Sequence, residues 1–169
     1  MKKLFFLFIA FTITLSAQKK EISLDDIWTN GTFRTERLNS FQSLQKGDYY
    51  TILNYNRDNG STTLDKYSYV TLEKIETIVD SKDLNEIESF SSYEFSKDED
   101  RLILGTDSKR IYRHSSVGVY YVFDITSKKL QLISPNKIQE PTFSPDGNKV
   151  AYTYDNNIYI KNLINNGTI

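Results

Sequence analysis

Gln139-Glu140-Pro141-Thr142-Phe143-Ser144-Pro145-Asp146-Gly147-Asn148-Lys149-Val150-Ala151-Tyr152 is the stretch whose reading decides the fold. Pro145-Asp146-Gly147 is a turn: proline presets φ, aspartate binds nearby backbone N–H groups, and glycine takes a positive φ without strain. Lys149 to Tyr152 then reads as a strand entering a sheet. The same order occurs 48 residues upstream, in Tyr93-Glu94-Phe95-Ser96-Lys97-Asp98 followed by Arg101-Leu102-Ile103-Leu104. Both copies run aromatic, Ser, any residue, Asp, a turn, and a strand opened by a basic residue. A degenerate third copy, Phe41-Gln42-Ser43 with Gly47-Asp48-Tyr49-Tyr50, lies 53 residues before the Ser96 unit when Ser43 is matched to Ser96. A period of about 50 residues with several strands per repeat is the signature of β-propeller blades. In such blades the aromatic ring fills the space between neighbouring sheets, while Ser and Asp hold the turn. A plain β-sandwich also has many short strands, but it need not repeat.

Outward from this unit the chain alternates strands and turns. Strands are expected over Asp48–Tyr55, Tyr67–Leu72, Thr77–Val79, Tyr93–Phe95, Arg101–Gly105, Val119–Ile125, Lys129–Ile133, Lys149–Tyr154 and Ile158–Leu163. Asp58-Asn59-Gly60, Lys97–Asp100, Ser127-Lys128 and Asp155-Asn156-Asn157 are the expected reversals. No long stretch has helical periodicity. Near the N-terminus, Ser23 followed by Asp25 and Asp26 reads as a helix cap with acid in the first turn, predicting one short helical turn that ends near Gly31. The predicted fold is all-β: a partial β-propeller of two to three four-stranded antiparallel blades, preceded by a short helix and a signal peptide. The expected division is a signal peptide at 1–17, a leader segment at 18–40 and an incomplete propeller at 41–169. Closed propellers have roughly four to eight blades.

The signal peptide is read from Lys2 and Lys3, the apolar run Leu4–Ile13, the small residues Thr14, Ser16 and Ala17, and the polar Gln18-Lys19-Lys20. Charge, apolar core and small-residue cleavage site stand in the secretory order. The competing reading is a membrane anchor, for which the run is short. The expectation is an exported protein, periplasmic or on the cell surface of a bacterium, with no membrane association after signal removal.

Composition excludes several chemistries. The formal net charge is −1, which leaves no basic surplus for nucleic acid. There is no cysteine, so disulfides, thiolate-held zinc and iron–sulfur clusters are ruled out, and the single His114 cannot form a multi-histidine metal site. No cofactor is expected. The glycines, at 31, 47, 60, 105, 118, 147 and 167, include no pair four apart, so no Gly-x-Ser-x-Gly elbow exists. With a lone histidine, no credible Ser/His/Asp triad is present.

Three stretches resemble the dipeptidyl peptidase IV family, the prolyl-oligopeptidase-type serine peptidases, in its N-terminal β-propeller region. They are Ile22–Ile27 with Phe41-Gln42-Ser43 and Gly47–Tyr50; Tyr112-Arg113-His114-Ser115 followed by Tyr120–Asp124; and Gln139–Tyr152 followed by Asn157-Ile158-Tyr159. The resemblance implies an exported serine exopeptidase releasing Xaa-Pro or Xaa-Ala dipeptides. In it, a propeller covers a C-terminal α/β-hydrolase domain that is absent from this chain. The implied partners are a peptide substrate with a free N-terminus, the missing hydrolase domain and a second full-length copy in a homodimer. It further implies that Arg113 is a substrate-binding residue for a peptide carbonyl. A guanidinium suits that role, being permanently charged and rigidly forked. The alternative for Arg113 is an ordinary surface residue. His114, by strand alternation, is expected on the opposite face with a structural role. The family's pair of Glu residues for the substrate amine has no match here, and Glu86 and Glu88 precede Arg113 rather than follow it. Other readings of the same scaffold are a non-catalytic propeller that binds protein or glycan, and a relative that has lost its triad.

Overall fold

The computed structural model describes residues 21–35, 41–113 and 115–169. The proposed signal peptide and His114 lie outside the described residues. The chain divides into two units, residues 1–38 and 39–169.

Among its described residues the first unit has the short helix α1 (Leu24–Trp28). Ser23 caps it. The Ser23 Oγ accepts from the Asp26 N–H at 3.0 Å, and Asp26 Oδ2 accepts from the Ser23 N–H at 3.2 Å. This reciprocal box satisfies two backbone donors that a helix start leaves open. The Ser23 N–H also holds the Asp26 carboxyl below its ordinary range.

Among the described residues the second unit is strand and turn, with one 3-10 turn at Ser81–Asp83. Its described strands are β1 (Phe41–Ser43), β2 (Tyr49–Tyr55), β3 (Thr62–Ser68), β4 (Lys74–Asp80), β5 (Ser92–Phe95), β6 (Arg101–Tyr112), β7 (Ser115–Asp124), β8 (Leu130–Leu132), β9 (Gln139–Phe143), β10 (Lys149–Tyr154) and β11 (Asn157–Asn162). They form three antiparallel meanders: β1-β2-β3-β4, β5-β6-β7-β8 and β9-β10-β11. These are successive propeller blades, two with four strands and the third with three. The four-stranded expectation is therefore met by the first two only.

Strict alternation along blade two explains how the sheets stack. Leu102 and Leu104 of β6, with Phe123 of β7, join Leu64, Val79 and Phe90 in one core between blades one and two. Ile103 and Val122, their immediate neighbours along the chain, join Tyr120, Ile138, Val150 and Tyr152 in a second core between blades two and three. Successive side chains on a strand point to opposite faces, so one sheet serves two cores. Each fully buried Leu or Ile contributes about 1.5–3 kcal/mol. This arrangement separates a propeller from a two-layer sandwich, in which one face of each sheet meets water.

The turns that open the blades are equivalent. The N–H groups of Leu44, Ser96 and Ser144 donate to the carbonyls of Tyr49, Arg101 and Lys149, each at 2.9 Å. Gly47, Glu99 and Gly147, three residues further, all have positive φ (73°, 56° and 66°). The first copy is thus in register through Leu44, one residue beyond the Ser43 match. Leu44 is buried, having no hydroxyl to hold the turn. In the third copy Ser144 Oγ binds Asp146 Oδ1 at 2.5 Å, and Asp146 accepts from the Asn148 N–H, as the motif predicts. In the second copy the acid that binds Ser96 Oγ is Asp100 at 2.7 Å, not Asp98. Asp100 stands where the third copy has Asn148, so here the partner carboxylate comes from the far side of the turn.

Several strand boundaries differ from the sequence expectation: β1 and β9 lie outside the expected strands, and β4 and β7 begin earlier, at Lys74 and Ser115. Tyr69–Leu72 is a turn, held by the Ser68 hydroxyl accepting from Val70 and Thr71 and closed by Leu72 at φ 59°. The strand before it begins at Thr62. β6 continues seven residues past Gly105, because Thr106–Ser108 forms a bulge rather than a reversal.

Candidate functional site

In an antiparallel meander, turns alternate between the two ends of the sheet. The Ser–Asp turns lie at one end. The β2–β3, β6–β7 and β10–β11 reversals and the links between blades lie at the other. Arg113 occupies this second end, exposed at the tip of the β6–β7 hairpin, just after the Tyr112–Ser115 pair.

The hairpin is long and irregular for reasons written in its sequence. Thr106 pairs with Val119 and Lys109 with Val117, so Asp107 and Ser108 together oppose Gly118. A second extra residue, Ile111, separates the Arg110–Ser116 and Tyr112–Ser115 pairs. Each bulge reverses the alternation beyond it and increases the local twist. Asp107 adopts φ 44° at the first bulge. Gly118 is needed opposite it: a Cβ there would lie 3.0 Å from the Thr106 carbonyl oxygen and 3.3 Å from the Ser108 Cα.

The base of the hairpin is braced from the link to blade three. Gly118 and Ile138 exchange two backbone hydrogen bonds, at 3.0 and 2.9 Å. Lys137 Nζ lies 2.6 Å from Asp107 Oδ2. Ile138 is fully buried in the second core, so the brace is tied to packed structure.

An open cavity of about 480 Å³ lies beside the tip, lined by Ser91, Ser108, Arg110, Arg113, Ser115 and Ser116. Two guanidiniums and four hydroxyls supply donors, and no carboxylate lines it. Arg110 and Arg113 have no ion pair or side-chain hydrogen bond among the described residues. The arrangement can receive a carbonyl or an anion, and guanidinium geometry favours a planar acceptor. Glu86 and Glu88 line a different cavity, with Asn59 and Lys82. Among the described residues no cluster of His, Asp and Glu is placed to hold a metal ion.

Sequence reasoning singled out Arg113 but not Arg110 or the serines around it. The available signal was the basic pair Lys109-Arg110 shortly before Arg113. It became informative only once the bulges had put Arg110 opposite Ser116.

Comparison with known proteins matches this fold. The family model of the dipeptidyl peptidase IV N-terminal region covers residues 96–169. Dipeptidyl aminopeptidase B of Saccharomyces cerevisiae is 35% identical over 131 residues, 78% of this chain and 15% of the yeast protein. Human prolyl endopeptidase FAP is 30% identical over 144 residues, 84% of this chain and 18% of the human protein. The crystal structure of Porphyromonas gingivalis dipeptidyl peptidase 4 superposes with a TM-score of 0.72 at 30% identity, covering 89% of this chain and 22% of that one. The chain therefore spans less than a quarter of the length of each of these three relatives. With the blade packing, the repeated turns and these matches together, the chain belongs to the dipeptidyl peptidase IV family and corresponds to its N-terminal region.

Proposed function

We propose that this chain is the N-terminal propeller portion of an exported serine dipeptidyl peptidase, in which it shapes substrate access and Arg113 binds the substrate. The observation that carries the reading is Arg113 itself. It stands on a braced hairpin, unpaired among the described residues, at the mouth of a donor-lined cavity. A guanidinium so placed can hold a peptide carbonyl and orient the scissile bond without moving a proton. The reaction is the removal of Xaa-Pro or Xaa-Ala dipeptides from a peptide with a free N-terminus. The nucleophile belongs to an α/β-hydrolase domain, and two full-length copies form a homodimer. Export to the periplasm or cell surface of a bacterium is supported by the charge, apolar run and small residues of positions 1–17. The relatives' names support the activity.

The test has two parts. The gene downstream of the Ile169 codon is expected to encode a Gly-x-Ser-x-Gly elbow followed by Asp and His. The product is expected to release dipeptides from proline-second peptides with free but not acetylated N-termini. A stop codon or an unrelated binding module downstream would favour the non-catalytic propeller instead.

A further inference from the structure

Arg110 has no place in the proposed handling of a peptide carbonyl, yet it lines the same cavity as Arg113. It reaches that position because of the bulge at Asp107-Ser108. Strict alternation would put Arg110 on the face of Leu102 and Leu104. The extra residue shifts it to the opposite parity, across from Ser116. The one acid in the neighbouring bulge, Asp107, is engaged by Lys137 at 2.6 Å. The cavity therefore keeps two uncompensated positive charges, with the hydroxyls of Ser91, Ser108, Ser115 and Ser116 as further donors.

We propose that Arg110 is a specificity-determining residue that binds the side-chain carboxylate of an acidic first residue of the peptide. The proposal rests on the reading of Arg113 as the carbonyl-binding residue. A carboxylate one side chain away from that carbonyl meets Arg110, and the serine hydroxyls supply donors to its remaining lone pairs. A neutral isostere makes the same backbone contacts and loses only the charge interaction.

The experiment is calorimetric titration of the purified protein with Asp-Pro-amide and Asn-Pro-amide, and separately with inorganic phosphate, at low ionic strength. The Asp ligand is expected to bind up to about fivefold tighter than the Asn ligand, the range of an exposed charge pair, with the preference shrinking as salt is added. Arg110→Gln is expected to abolish the preference, with the Asp ligand losing more affinity than the Asn ligand. Equal affinities in the parent protein, a preference that survives Arg110→Gln, or binding of phosphate with neither peptide would each overturn the proposal. Arg113→Ala separates the two readings. It is expected to weaken both peptides alike; if it leaves both unchanged while the Arg110-dependent preference persists, the carbonyl role of Arg113 fails and the carboxylate site stands.

Discussion

Arg101 Nη1 donates to the carbonyl oxygen of Gly147 at 2.6 Å, joining the first residue of β6 to the Ser–Asp turn of the next blade. The same guanidinium reaches Asn148 Oδ1 at 3.3 Å, and its Nε lies 3.7 Å from Asp124 of its own blade. One blade earlier the pattern is reversed in sense. The Gln45 N–H in the turn of blade one donates to Glu99 Oε1 at 2.6 Å, and the Gln45 side-chain amide donates to the Lys97 carbonyl. Adjacent turns are therefore latched in series at the end opposite Arg113. In the second copy the basic residue that opens the strand thus has a physical role, since Arg101 reaches across to the neighbouring turn.

Replacing Arg101 with Ala is expected to lower unfolding stability by about 1.5 kcal/mol, the scale of a hydrogen bond with one charged partner. Arg101→Lys, which keeps charge but loses the fork, is expected to recover less than half. Urea unfolding of the three proteins checks this. Identical midpoints would show that the latch contributes nothing.

Asp65 offers a pH-dependent test. It is buried, and burial alone would raise its pKa. Lys74 at 2.8 Å, Thr77 at 2.7 Å and Asn54 at 2.9 Å outweigh burial and hold the carboxyl below its ordinary value. A depressed folded-state pKa contributes stability that is complete above the unfolded value, about 3.9, and is lost as pH falls through the folded value. Asp65→Asn is expected to cost about 2 kcal/mol at pH 7. The gap from the parent should narrow as pH drops below about 4. A gap that is constant from pH 7 to pH 3 would contradict the assignment.

Ile103 and Leu104 are adjacent in the chain but belong to different cores. Ile103→Val is expected to cost about 1 kcal/mol and Leu104→Ala about 3 kcal/mol. With no shared core, the double variant should lose the sum to within about 0.5 kcal/mol. In a sandwich one of the two side chains would face water, so a near-zero cost for either single variant would contradict the packing of this sheet between two cores.

Gly118→Ala is expected to destabilise by about 1–3 kcal/mol, since the added methyl meets backbone on the facing strand and that strand must shift. Amide exchange should quicken at Gly118 and Ile138, whose mutual hydrogen bonds brace the hairpin. Unchanged protection at both would show that the bulge accommodates a Cβ.

The blade order and the turn chemistry were legible in the sequence because they are local. Ser144, Asp146 and Gly147 carry their own geometry, and the 48-residue repeat to Ser96 marks the next blade. What escaped reading was set by pairing across strands. Gly105-Thr106-Asp107-Ser108 has the composition of a reversal, yet Gly118 opposite it lets the backbone bulge and continue to Tyr112. Asp98 fits the motif, but Asp100, at the position Asn148 holds in the next copy, is the acid that meets the Ser96 hydroxyl. Tyr69-Val70 looks like strand by β-propensity, and the Ser68 hydroxyl turns it instead. The cavity around Arg113 depends on both bulges, so its other members were not visible from spacing.

The most direct test of the functional account is the kinetics of Arg113→Ala in the full peptidase that this region is proposed to open. Dipeptide release from an Ala-Pro substrate is expected to fall by about 10²-fold in kcat/KM, the scale of losing a substrate-positioning contact, with thermal unfolding unchanged. Parent-like kcat/KM in a properly folded Arg113→Ala protein would contradict it.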